Sequence, residues 1–126
     1  MVAVRTLTFA LLLAAGCTFE DGHPPVPRAS ATPRAIPEND GFQTPVALDG
    51  TASADPIDDP EGMRPLRYRW TIRSDEFRFD QGDETDPSPV VRFRGDRPAT
   101  IELTVTDADG LEATARFELQ LTVSTL

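Results

Sequence analysis

From Pro45 onward the chain alternates between apolar and polar positions. In LRYRWTIR, Leu66, Tyr68, Trp70 and Ile72 fall on one side, and Arg67, Arg69, Thr71 and Arg73 on the other. A period of two predicts a half-buried strand. Val46 and Leu48 do the same in PVALDG, as do Val91 and Phe93 in PVVRFRG. Ile101, Leu103 and Val105 alternate in TIELTVTDADG, and Ala115, Phe117, Leu119, Leu121 and Val123 in EATARFELQLTV. Asp49-Gly50 and Asp109-Gly110 close two of these runs with turn chemistry. Short alternating strands separated by turns predict an all-β domain, an antiparallel β-sandwich. The expected core is Val46, Leu48, Tyr68, Trp70, Ile72, Phe93, Ile101, Leu103, Val105, Phe117, Leu119 and Leu121.

The N-terminal pattern is different. Met1 to Arg5 carries one positive charge, and Thr6 to Ala15 is an uncharged, mostly apolar run. That run is about half the roughly 20 residues that span a bilayer, and its shape is that of a secretory signal peptide. Small residues then lead to Cys17. The stretch LAAGC, Leu13 to Cys17, resembles the lipobox of bacterial lipoproteins. The resemblance implies a diacylglycerol on the Cys17 sulfur, cleavage before Cys17, and usually a third acyl chain on its amine. Two or more acyl chains anchor a protein stably, whereas one does so only marginally. Thr18 follows where Asp would favour inner-membrane retention, so in a Gram-negative cell the resemblance favours the outer membrane.

Between Thr18 and Thr44 there is little periodicity, and Pro24, Pro25, Pro27, Pro33 and Pro37 interrupt it, with Pro45 at its edge. Proline fixes φ and lacks an N–H, so this stretch reads as a semi-stiff tether. Its last part, near Ala35 and Ile36, reads equally as the first strand of the domain. The expected organisation is thus a signal peptide over 1–16, a lipidated Cys17 and tether over 17–44, and a sandwich over 45–126.

Charge and composition narrow the partners. The formal net charge is −9, and all 12 basic residues are Arg. That balance argues against nucleic acid, whose phosphates need neutralising, and against electrostatic docking on anionic lipid. The single Cys excludes an intramolecular disulfide. The single His, His23, sits in the tether, so a Ser-His-Asp or Cys-His site and a His-rich zinc site both lack their parts.

VALDGTASADPIDDPEGMRPLRYRWTI resembles the opening of a PKD-type Ig-like domain, on Val46, Leu48, Asp49, Gly50, Ser53, Asp55, Pro56, Tyr68 and Trp70. Thr51 stands where Ser is usual. Leu103, Thr104, Val105, Asp107 and Gly110 are similar to that family's closing motif. The family's Trp-x-Phe-Gly-Asp-Gly is broken: Trp70 is followed by TIRSDEFRFDQGDE, where only Phe79, Gly82 and Asp83 echo it. The middle therefore carries an insertion or different strands. The resemblance implies an Ig-like sandwich that contacts protein or carbohydrate without catalysis.

Asp55, Asp58, Asp59 and Glu61 crowd one turn, ADPIDDPEG. Four carboxylates repel one another, and oxygen-only ligands on a loop suit Ca²⁺, which takes six to eight. The EF-hand spacing is absent, and a solvated turn is the plain alternative. Asp107 and Asp109 would add ligands only if both loops share one end of the sandwich. A second acidic loop, with Asp80, Asp83, Glu84 and Asp86, offers the carboxylate pairs a glycan hydrolase uses, but no cleft is evident. Arg67, Arg69 and Arg73, with Arg92 and Arg94, suggest a cationic sheet face for acidic sugars or carboxylates, or one paired with Glu102 and Glu118. Arg94-Gly95-Asp96 is the tripeptide some adhesins display and is equally a turn. The expectation is a non-enzymatic, membrane-anchored module of the bacterial cell envelope with a protein or carbohydrate partner. The alternatives are a structural subunit of a larger envelope complex and, behind it, a small glycan hydrolase.

Overall fold

The computed structural model describes residues 22–123; Cys17 and the signal-peptide reading lie outside them. Among the described residues no helix is long and apolar enough to cross a membrane. Eight strands form: β1 (Ser30–Thr32), β2 (Ala35–Pro37), β3 (Val46–Asp49), β4 (Arg67–Arg73), β5 (Phe77–Gln81), β6 (Val90–Phe93), β7 (Ala99–Thr106) and β8 (Glu112–Thr122). They make two four-stranded sheets, ordered β1-β3-β6-β5 and β2-β8-β7-β4. The fold is the all-β sandwich that the alternation predicts. All pairs are antiparallel except β2 and β8, which run parallel.

The core is the set of inward positions of both sheets. Val46, Leu48, Val91 and Phe93 from one sheet face Trp70, Ile101, Leu103, Val105 and Leu119 from the other, all buried. Tyr68, Ile72, Phe117 and Leu121 are only partly buried against that core. Trp70 is pinned as well as packed. Its indole Nε1 donates to the Asp86 carbonyl at 2.8 Å and its amide to the Glu84 carbonyl at 2.8 Å.

The boundary at Pro45 needs correction, because the sandwich begins earlier. Ala31 pairs with Leu48, and Ile36 with Leu121; Ala31 and Ile36 are both buried in the core. The supposed tether thus supplies one strand to each sheet, with a cis Thr32–Pro33 bond between them. Each strand has three residues, too few to show alternation. Their prolines lie between strands or at a strand end, where a missing N–H costs little. Upstream, Val26 and Ala54 exchange two backbone hydrogen bonds, of 2.7 and 3.0 Å. The described part of the tether is therefore laced onto the domain. β5 also arises inside the stretch that breaks the PKD-like motif: Phe77, Arg78 and Phe79 pair with Phe93, Arg92 and Val91.

Candidate metal centre

Two turns meet at one end of the sandwich. The first follows β3. Asp49 Oδ1 accepts from the Thr51 amide (2.9 Å) and hydroxyl (2.6 Å), which tightens the Asp-Gly turn. The Asp59 amide then donates to the Asp55 carbonyl at 2.9 Å, folding Asp55–Asp59 into one compact loop. The second turn joins β7 to β8. Asp107 Oδ1 accepts from the amides of Asp109 and Leu111, both at 2.9 Å, and the Asp107 amide donates to the Leu111 carbonyl at 2.9 Å.

These turns bring Asp55, Asp58 and Asp107 together, each offering a carboxylate oxygen within 4.8 Å of the other two. Asp55 is 5% exposed and Asp107 1%. Asp55 Oδ1 and Asp107 Oδ2 are buried with no hydrogen-bond partner. A point central to three oxygens so spaced lies no more than about 2.8 Å from each, and a slight closure reaches the 2.3–2.6 Å of Ca²⁺–oxygen bonds. Burial, and then the charges of Asp107, Asp58 and Asp59, push the Asp55 carboxyl above its ordinary range, with Arg64 opposing. Arg64 does not neutralise the cluster, because its guanidinium forks onto Asp109 at 3.3 and 3.1 Å.

The structure corrects the predicted ligand set. Asp55 and Asp58 converge, but Asp59 and Glu61 do not. The Asp59 carboxylate accepts from the amides of Met63 (3.0 Å) and Arg64 (2.8 Å), and these bonds hold it below the usual range. It braces the loop from within, and Glu61 is exposed at the loop's outer wall. Asp107 completes the cluster from 49 or more residues away; its signal in the sequence is the TDADG turn, which only the topology brings alongside. Asp109 goes to Arg64 instead. His23 also leaves its tether role: its amide donates to Asp58 Oδ2 at 2.6 Å, and its Nδ1 lies 3.2 Å from Asp58 Oδ1. The His23 amide, helped by the imidazole, lowers the Asp58 carboxyl.

The other candidates separate. In the second acidic loop each acid is held locally: Asp83 by Thr85, Asp86 by the Ser88 amide, Asp80 by Arg92 at 3.2 Å and Glu84 by Arg69 at 3.8 Å. The arginines divide between the sheets. Arg67, Arg69 and Arg73 lie on β4, whereas Arg92 lies on β6 and Arg94 just beyond it. Glu102 pairs with Arg73 and Arg116 at 3.5 and 2.8 Å, while Glu118 accepts from Gln120. Arg94-Gly95-Asp96 is tied down: Arg94 pairs with Glu76 and Asp96, and the Gly95 carbonyl accepts from the Asn39 amide.

No protein-family model and no curated protein matches the chain. Among solved structures the chain is similar to a nucleoside hydrolase-related hypothetical protein from Saccharophagus degradans that is associated with carbohydrate metabolism, with a TM-score of 0.55 and 20% identity. The likeness covers 80% of this chain and 26% of that one, so the chain spans about a quarter of that protein's length. At this identity the likeness concerns the sandwich alone.

Proposed function

We propose that this chain is a non-catalytic, Ig-like module of the bacterial cell envelope, anchored by lipid on Cys17, that binds or spaces a protein or carbohydrate partner and whose loop end is braced by Ca²⁺. The PKD-like motif and the two-sheet sandwich support the Ig-like reading, and Leu13–Cys17 supports the anchor. The observation that carries the metal is the pair of buried, unpartnered oxygens, Asp55 Oδ1 and Asp107 Oδ2. An unsatisfied buried polar atom is costly, and three converging carboxylates without a cation are costlier still. Oxygen ligands select a hard cation, and a loop-built site suits Ca²⁺ over the strictly octahedral Mg²⁺. When bound, the ion supplies charge neutralisation and a clamp between the β3–β4 and β7–β8 connections. Asp55 and Asp107 hold it from inside and Asp58 from the rim.

Thermal unfolding of residues 18–126 tests this. A cation that binds only the folded state raises the midpoint by mass action. Millimolar Ca²⁺ over EDTA is expected to raise it by several degrees, and Asp107→Asn to abolish the rise. An unchanged midpoint in the unsubstituted chain refutes the metal. Mass spectrometry of the membrane-extracted chain tests the anchor: Cys17 should carry the acyl mass and be the first residue.

A further inference from the structure

The outer edge of β4 is partly open, and its opening has a definite chemistry. β4 ends the order β2-β8-β7-β4, so one side of its backbone has no strand neighbour. Its register on β7 is unbroken from Arg67↔Thr106 to Arg73↔Thr100. The Trp70 amide donates outward, to Glu84, so in this alternating ladder Tyr68 also turns its N–H and C=O outward. Among the described residues no backbone partner meets the Tyr68 amide. The loop that covers Trp70 stops short: beside Thr85 and Pro87 lies a groove of about 480 Å³ that takes in Tyr68, Arg67 and Arg69 and extends over Thr104 and Thr106 of β7. A second hollow shares Leu66 and Tyr68 with it, but there the lining turns to Asp55, Asp59 and Glu61 beside Arg64, so the cationic stretch of the edge ends at Arg67.

We propose that this edge takes an extended, acidic peptide segment of a partner protein as an added strand. The inference rests on the reading of the chain as a binding module, names its partner as protein, and stands apart from the metal. An added strand lies about 4.8 Å from β4 and exchanges its hydrogen bonds with Tyr68. Arg67 and Arg69, two residues apart on the solvent face, then stand beside alternate side chains of the newcomer. Arg67 has no ion pair among the described residues, and Arg69 only the 3.8 Å contact with Glu84. On a chain of net charge −9 Arg67 is thus an unpaired cation and Arg69 a loosely paired one, and carboxylates at every second position of the added strand complement them. The Thr85–Pro87 loop at one end and the Asp59–Arg64 loop at the other keep the added segment short.

The test is an amide chemical-shift titration of residues 18–126, which include every strand of the sandwich. The probe is a capped hexapeptide alternating Glu with Val, set against its Lys-for-Glu counterpart. The Tyr68 amide is expected to shift and to exchange more slowly with solvent, and the Lys peptide to bind at least tenfold more weakly. Arg67→Glu with Arg69→Glu should reverse that preference. Peptide N-methylated on its pairing face should lose binding, a control that needs no change in the protein. Absence of Tyr68 protection, or equal binding by the N-methylated peptide, overturns the proposal. So does perturbation of this edge by oligogalacturonate and not by peptide. A Ca²⁺-induced rise in unfolding midpoint without peptide binding leaves the metal reading standing and sinks this one.

Discussion

Gly95 and Gly110 share nearly the same φ, +90° and +89°, in very different surroundings. A Cβ on Gly95 would lie 2.7 Å from the Asp40 amide nitrogen, whereas one on Gly110 meets nothing within 4 Å. Gly110→Ala therefore costs only backbone strain, about 1 kcal/mol, while Gly95→Ala adds a clash with main chain and costs roughly 2–3 kcal/mol or more. Urea unfolding of the two variants reads the difference. At Asp55 the effect depends on pH. Its folded carboxyl titrates above the ordinary value, so the fold holds the proton where the unfolded chain has lost it. As pH rises through that window, the metal-free fold loses stability at this residue. Asp49, Asp58, Asp59, Asp75 and Asp83 are held low and act in the opposite sense, losing their contribution as pH falls through their lowered values. Comparing Asp55→Asn with the unsubstituted chain isolates the one residue. In EDTA the variant should match it near pH 3 and melt a few degrees higher at pH 7. In Ca²⁺ at pH 7 that order should reverse.

Among the elements, β1 and β2 are short and indispensable. A chain cut to begin at Pro45 would lose the buried Ala31 and Ile36 and expose the edges of β3 and β8. It is expected to be unfolded or aggregated by circular dichroism and sedimentation, while residues 18–126 fold. The long strands were legible because β4, β7 and β8 each repeat their alternation over seven or more residues. A three-residue strand holds one inward side chain, so β1 and β2 left no period to detect, and their flanking prolines pointed elsewhere. β5 was hidden for another reason. Phe77, Arg78, Phe79 and Asp80 do alternate, but Phe77 stays exposed and the surrounding acids read as loop. At the candidate site the local half was legible, since Asp55 and Asp58 share one turn. Asp107 is legible only conditionally, because its role depends on which turns the sheet order places side by side; Asp59 shares the turn, but backbone amides claim its carboxylate. Trp70 tests an element-level contact: Trp70→Phe keeps most of the packing but leaves the Asp86 carbonyl unpaired, for an expected cost of about 1–3 kcal/mol.

For the whole molecule, the excess of acids means that any salt relieves some repulsion, and a stability response to Ca²⁺ alone does not identify a site. The two effects separate by variant. Raising NaCl in EDTA should stabilise Asp107→Asn as much as the unsubstituted chain, whereas millimolar Ca²⁺ at constant ionic strength should stabilise only the latter. The parallel pairing of β2 with β8 bears on how the domain carries load. Ala35, Ile36 and Pro37 lie beside Gln120, Leu121 and Thr122, pointing the same way. A pull that draws β2 toward its N-terminal end and β8 toward its C-terminal end slides these strands past each other along their length. Their hydrogen bonds are then loaded together in shear, where peeling would break them one at a time. Once a pull from the N-terminal side has passed the Val26–Ala54 bridge and β1, it meets this clamp, whose resistance depends on the seating of Ile36, the one buried side chain of β2.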